Sequence, residues 1–477
     1  MAVTATMIQS INPATGEVLK SFEEFTSQQV DQALAEADGA FREWRRKSFD
    51  ERAVPMRKAA EVLRRHKEEY ARLITLEMGK PIVEAEAEIE KCAWNCEFYA
   101  ENAARFLADD HIQTNAKDSY VAYEPLGVVL AIMPWNFPFW QVVRFAAPAL
   151  MAGNAAVLKH ASNVPQCALA IEQTFREAGF PKGLFRTILI SGGGVEKIIE
   201  DPRVKAVTLT GSSVVGERVA GAAGRNLKKQ VLELGGSDPF IVLKDADLQA
   251  AAETAAKARF QNTGQSCICA KRFIVEEAVA DEFVQRFKEE ATKLKIGDPL
   301  DRNTNLGPLA REDLRDTLER QVEASVKQGA RVILGGHSIP GKGYYFEPTI
   351  LSGVDDEMPA FREETFGPVA AVVRAKDEQE ALELANDSEY GLGASIWTRD
   401  TERGQRLARE VESGAVFVNG LVASDPRLPF GGVKRSGYGR ELSEFGIREF
   451  TNIQTIVLND TDGTSASASG VSAKAAE

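Results

Sequence analysis

Histidine is scarce in this chain: four in 477 residues, His66, His111, His160 and His337. None stands in a cysteine–histidine signature, so a cysteine hydrolase or acyltransferase, which needs a base beside its thiol, is disfavoured. None stands near Cys92 and Cys96 either, whose four-residue spacing on a helical pattern would otherwise begin a tetrahedral zinc site. No metal is expected, and these two thiols are read as core residues. Cysteine is few and odd in number, with Cys92, Cys96, Cys167, Cys267 and Cys269 in a large chain that shows no secretory leader, which argues against a disulfide framework. No apolar run approaches the roughly 20 residues of a membrane span, and the N-terminal MAVTATMIQSINPATG has no charged n-region with an apolar h-region. A cytoplasmic protein without a membrane partner is expected. A dense Lys/Arg cluster is also missing, and the net charge of -13 with a pI near 5.2 excludes the basic stripe that nucleic acid requires. The partner these absences leave is a small molecule.

The first hundred residues are helical in pattern. Apolar residues recur at helical spacing from Gln28 to Arg46, behind a capping box of Thr26 and Gln29. A second helix is predicted from Asp50 to Met78, stopped by Gly79 and Pro81, and a third carries Ile89, Cys92, Cys96 and Tyr99. This opening region reads as packing without chemistry. From Ser119 the pattern changes to strands alternating with helices, at Ala155 to Lys159, Phe185 to Ile190, Val204 to Thr210 and Gln230 to Leu234. A second unit begins near Asp238, with strands at Phe240 to Leu243, Arg272 to Glu276, Arg331 to Leu334 and Val369 to Arg374, the last followed by a helix from Asp377 to Asn386. Such alternation predicts parallel α/β sheets. Phe450 to Leu458 reads as a late strand that pairs with a neighbouring subunit, and Thr461 to Glu477, small and polar, as a disordered tail.

Four places carry candidate chemistry. In FQNTGQSCICAKRF, from Phe260 to Phe273, Cys267 follows Gly264, Gln265 and Ser266 and precedes Lys271 and Arg272, surroundings that favour a thiolate; locally, an ordinary buried thiol explains it as well. Asn136, between Pro134 and Pro138 at a strand end, is either a turn residue or an amide aimed into a cleft. Gly211 and Ser212 open a helix directly after a strand, where a pyrophosphate would sit, although the spacing departs from GxGxxG and a plain βα turn also fits. Glu233 precedes Gly235 and Gly236 at a strand end, as a general base or a solvated carboxylate.

In combination and order, Pro134-Trp135-Asn136-Phe137-Pro138, Leu158-Lys159, Thr210-Gly211-Ser212, Glu233-Leu234-Gly235-Gly236, Gly264-Gln265-Ser266-Cys267, Glu364-Thr365-Phe366-Gly367-Pro368 and Pro429-Phe430-Gly431-Gly432 resemble the aldehyde dehydrogenase superfamily from about Ile11 to Leu458. Within it, Trp135 to Arg144, Glu233 to Val242 and Gln261 to Phe273 resemble the bacterial succinate-semialdehyde dehydrogenase branch.

The resemblance implies two doubly wound α/β domains and an oligomerisation arm. Residues 1–106 and 127–235 would bind coenzyme, 236–445 would form the catalytic domain, and 107–126 with 446–460 would form the arm of a homodimer or homotetramer, leaving 461–477 as the tail. It also implies NAD(P)-dependent oxidation of an aldehyde, succinic semialdehyde first, with a broad-specificity enzyme or one for another semialdehyde, such as glutaric semialdehyde, as the alternative. Cys267 would be the nucleophile that forms a thiohemiacetal and then a thioester, Asn136 the oxyanion donor, and Glu233 the hydrolytic base, which argues against the coenzyme-A-acylating members. Trp135, Lys159, Ser162, Gly211, Ser212, Glu364 and Phe366 would hold the cofactor. Trp140, Arg144 and Ser424 would hold the far carboxylate of the substrate, Arg144 being otherwise a surface or interdomain ion pair. Where NAD-preferring members carry a glutamate three residues beyond the cofactor lysine, this chain has Ser162, which implies that NADP is accepted and preferred to NAD. Cys269, two residues from Cys267, is either a resolving thiol for an oxidised nucleophile or a small buried side chain.

Overall fold

The alternation of strands and helices produces two mainly parallel sheets. In the computed structural model, which describes residues 7–460, the first is six-stranded in the spatial order Gly437–Tyr438, Lys229–Glu233, Val204–Thr210, Val128–Met133, Ala155–His160, Phe185–Thr187. The two-residue strand at one edge runs antiparallel and the others are parallel. The chain enters at Val128–Met133, winds outward to one side, and returns to Val204–Thr210 on the other, so the order reverses between these two neighbours. Ligands of open α/β sheets bind at such a reversal, outside the carboxyl ends of the strands. Asn136 and Gly211 lie just beyond the carboxyl ends of the two strands concerned.

The second sheet has seven strands, in the order Arg331–Leu334, Thr349–Ser352, Val369–Ala375, Ala270–Glu276, Asp238–Val242, Gly393–Trp397, Ala415–Val418. Its central strands are buried on both faces, as parallel strands covered by helices must be. Because successive side chains point to opposite faces, Phe240, Val242 and Phe273 enter one core while Ile241, Leu243 and Ile274 enter the other.

Several expectations are corrected. The predicted helix from Asp50 to Met78 is two, Phe49–Arg65 and Lys67–Met78, broken at His66, which leaves helical geometry and ends the first helix. The strand predicted at Phe185 to Ile190 stops at Thr187. The late strand, Thr451–Leu458, pairs along one edge, antiparallel, with Asp118–Pro125 of its own chain, and Asp110–His111 completes a three-stranded sheet. The chain also returns to the first sheet late: Gly437–Tyr438 pairs with Glu233 and Leu232, so residues in the second unit's span build the edge beside Glu233. The tail expected at 461–477 lies outside the described residues.

Candidate active site

The helix Leu248–Phe260 ends in a turn that bends against ordinary backbone preference. Asn262 (φ 53°), Thr263 (φ 54°) and Gly264 (φ 71°) occupy the left-handed region in succession, a conformation that costs L-residues roughly 1–2 kcal/mol each. At Gly264 a Cβ would stand 2.3 Å from the Gly367 carbonyl oxygen, so only glycine fits. Hydrogen bonds hold the turn in place. Buried Arg259 donates to the Gly264 carbonyl (2.7 Å) and to those of Gly367 and Ala270. Lys271, fully buried, donates to the carbonyls of Ser266 (3.1 Å), Cys267 (2.8 Å) and Cys269 (3.3 Å). Cys267 is thereby fixed with its side chain partly open to a cavity. Withdrawal from bulk water pushes its thiol up to about 12, while the nearby charges of Arg144 and Lys271 pull it down. Cys269 is fully buried, its sulfur 3.9 Å from the Gln261 carbonyl oxygen, and burial raises its pKa too.

Asn136 reaches this loop from the first sheet. Its amide nitrogen donates one hydrogen to the Gln265 carbonyl (3.0 Å), and its oxygen accepts from Gln141 Nε2 (3.0 Å). Asn262 Nδ2 in turn donates to the Asn136 carbonyl (2.9 Å). The orientation is fixed from both ends, and the second amide hydrogen is left to be donated elsewhere. The helix Trp140–Met151 starts beneath it without a side-chain cap of its own; Glu88 accepts from the backbone N–H of Phe139 and of Trp140 (2.9 Å each), and buried Lys80 neutralises that carboxylate.

Between these elements lies a cavity of about 350 Å³, lined by Cys267, Trp140, Arg144, Ser424, Glu84 and Lys91 among others. The expected substrate residues therefore share one chamber with the thiol. Arg144 also forms a buried ion pair with Glu441 and lies over the Phe430 ring, 4.6 Å from its centroid. The helix Ile82–Phe106, expected only to pack, supplies Glu84, Glu88 and Lys91 to the chamber wall. Its charged residues alternate with apolar ones as on any amphipathic helix, so no local signal marked them.

Glu233 is placed differently. It ends its strand fully withdrawn from solvent, neither carboxylate oxygen has a hydrogen-bond partner, and it is absent from the wall of the chamber. Burial, with the charge of Glu441, raises its pKa well above the usual carboxylate value, against the pull of Arg144 and Arg440.

The remaining expected residues lie at or beyond the carboxyl ends of the first sheet's strands or against residues that do. Gly211 donates its N–H to the Glu233 carbonyl (2.9 Å), and Ser212 caps the helix Ser213–Arg225. Trp135 meets Phe366 edge to face, 5.7 Å between centroids. Glu364 accepts from Gly236 N–H (3.1 Å) and stands 3.7 Å from Lys271 Nζ, which joins it to the cysteine loop. Lys159 is depressed by burial and supported by the charge of Glu24. Ser162 lies in a separate cavity of about 270 Å³, with Glu24, Ser191 and Gly192. Glu24 was not anticipated. Among the described residues no three His, Cys, Asp or Glu side chains converge on a metal-sized site, and no helix is long and apolar enough to cross a membrane.

Two wound α/β sheets, with a buried thiol-bearing loop of the second reaching a residue of the first, have the architecture of a two-domain α/β oxidoreductase. The chain belongs to the aldehyde dehydrogenase family, whose model matches residues 2–456. It is 51% identical over 457 residues to the succinate semialdehyde dehydrogenase [NAD(P)+] Sad of Escherichia coli K12, covering 96% of this chain and 99% of that protein. It is 50% identical to succinate-semialdehyde dehydrogenase [NADP(+)] 1 of Mycobacterium tuberculosis, covering 94% and 99%. Among solved structures, that of succinic semialdehyde dehydrogenase from Streptococcus pyogenes in complex with NADP+ matches with a TM-score of 0.93 at 39% identity, over 95% of this chain and all of that one.

Proposed function

We propose that this aldehyde dehydrogenase oxidises succinic semialdehyde to succinate, accepting NADP in preference to NAD. The observation that carries the reading is the single chamber that holds Cys267 together with Arg144 and Ser424, a thiol and carboxylate-binding groups within reach of one short substrate. The relatives named above, whose names carry this substrate, support it.

In this reading Cys267, its proton released to solvent, adds as the thiolate to the aldehyde carbon. The oxyanion accepts the free Asn136 amide hydrogen and the Cys267 N–H, each donor lowering the barrier by about 2.7 to 4 kcal/mol. NADP, when bound, supplies the hydride acceptor. Loss of hydride from the thiohemiacetal leaves a thioester on Cys267, and Glu233 takes a proton from the water that hydrolyses it. Since Glu233 stands outside the chamber, it must rotate inward to act. The donor set of the crevice fits a dinucleotide: the Ser212-capped helix start for pyrophosphate, Lys159, Ser162 and Glu364 for the riboses, and Trp135 and Phe366 beside the nicotinamide. The protein is read as a cytoplasmic homodimer or homotetramer, assembled through the three-stranded sheet, whose edge strand exposes Ile453, Val457 and Leu458.

The test compares kcat/KM for succinic semialdehyde and for butanal, with each nicotinamide cofactor. Preference for the carboxylated aldehyde in kcat/KM is expected, and Arg144→Ala, which removes the guanidinium that shapes that end of the chamber, is expected to narrow it. Equal use of both aldehydes would overturn the substrate reading.

A further inference from the structure

The groups around the chamber pair off unevenly. Arg144 is engaged by Glu441, Glu88 by Lys80, and Asp425, next to Ser424, by Arg427. Two ammonium groups are left over, Lys91 and the exposed Lys257: both line the chamber with Glu84, which accepts from the Asn262 N–H, and among the described residues no carboxylate lies within ion-pair distance of either. Lys91 Nζ donates to Ser424 Oγ (2.7 Å) and stands 4.4 Å from the centre of the Trp140 ring. An ammonium has three hydrogens to donate and no acceptor role. Ser424 takes one, and the indole face offers only a cation–π contact. A half-buried cation without an anion beside it is under-compensated, so the place suits an arriving anion.

We infer that Lys91 is a specificity-determining residue, the ammonium that pairs with the remote carboxylate of the substrate, with Ser424 as the hydroxyl beside it and Arg144 held back by Glu441 to shape the site. The inference rests on the substrate reading above and deepens it. Arg144, already neutralised, contributes direction and packing over Phe430, whereas Lys91 brings the uncompensated charge. Lys91 titrates near the working range: burial lowers it to about 8, with Arg144 lowering it further and Cys92, Asp425 and Glu88 acting the other way. Its charge, and with it discrimination for an anionic aldehyde, is present below that pH and fades above it.

The test uses the full-length protein with cofactor, and follows kcat/KM for succinic semialdehyde and butanal in the natural protein, Lys91→Met and Lys91→Arg. Lys91→Met is expected to lower kcat/KM for succinic semialdehyde by at least about tenfold, mostly through KM, and that for butanal far less. Lys91→Arg should restore much of the difference, which a merely structural role would not do. In the natural protein the ratio of the two kcat/KM values should fall above about pH 8, and Lys91→Met should flatten it. Equal losses on both aldehydes in Lys91→Met, without recovery in Lys91→Arg, would overturn the inference while leaving the substrate reading intact, provided the natural protein prefers succinic semialdehyde. Absence of that preference in the natural protein would overturn both.

Discussion

The cysteine loop and the pocket of Glu233 are both buried, and they treat buried polar groups in opposite ways. Around Cys267, Lys271 and Arg259 bind carbonyl after carbonyl, and Asn136 is held by Gln265, Gln141 and Asn262. These bonds oppose three successive left-handed residues, a strain that persists only where the surroundings over-determine the backbone. Around Glu233 nothing is bound: both its oxygens lack partners, and burial with the charge of Glu441 favours its neutral form against the pull of Arg144 and Arg440. An unpaired buried carboxylate is costly and a neutral carboxyl much less so. One region therefore fixes an atom in space, while the other keeps a proton and a side chain ready to change. A nucleophile under an oxyanion donor needs the first property; a base that acts late, on water, needs the second.

The largest effect should come from the fixed region. Cys267→Ala is expected to reduce aldehyde oxidation by at least about 10⁴-fold, as removal of a nucleophile does, while Cys269→Ala retains most activity, because Cys269 points to the Gln261 carbonyl within the fold. Steady-state nicotinamide reduction decides it, and the reverse pattern would show that the loop presents the other sulfur. Glu233→Gln tests the unbound carboxyl. It should lower the steady-state rate by about 10² to 10⁴ yet leave a slower burst of one reduced nicotinamide per site, the thioester having formed without being hydrolysed. In the natural protein the raised carboxyl becomes a base only as pH rises, so hydrolysis should accelerate with pH and the variant should lose that dependence. A variant without any burst would mean that Glu233 is needed before the thioester.

These two regions were not equally legible in the sequence. The small and polar run before Cys267, the proline-flanked Asn136 and the capping box at Thr26 are local patterns, and local patterns survive folding. What escaped was brought together by distant segments. Lys91 lies 333 residues from the Ser424 it touches, and its helix shows only ordinary amphipathic spacing. The antiparallel strand Gly437–Tyr438 is too short to read and sits inside a glycine-rich loop, yet it completes the sheet edge beside Glu233. Thr451–Leu458 was recognised as a strand, but its partner, Asp118–Pro125, could not be chosen without the fold. Glu24 follows a strand near the N-terminus and meets Ser162 only because the crevice closes over both.

A smaller effect is expected at the contact that links the two sheets. Asn136→Ala removes the free amide hydrogen and also abandons Gln141 Nε2 and the Gln265 carbonyl. It should lower kcat by about 10² to 10³ with a modest change in KM. Asn136→Asp keeps the shape but replaces a donor by an acceptor, and should be at least as slow. Rates near the natural value in either variant would show that the thiohemiacetal oxygen is stabilised from elsewhere, and that Asn136 serves only to orient the loop.

The smallest effect concerns the crevice, where charge rather than geometry should decide between cofactors. Ser162 offers a hydroxyl and space, but the cavity already contains the Glu24 carboxylate, which would repel a 2'-phosphate unless Lys159, whose charge it supports, compensates. Ser162→Glu would place a second carboxylate there. Two like charges a few ångströms apart in a partly screened site cost on the order of 1 to 3 kcal/mol, enough to shift the ratio of kcat/KM for NADP over NAD about tenfold or more towards NAD. Glu24→Gln should move the same ratio the other way by a smaller factor, since it removes one repulsion and weakens the hold on Lys159 at once. If Ser162→Glu leaves the ratio unchanged, this cavity does not face the 2'-phosphate, and the preference must be set on another wall of the crevice.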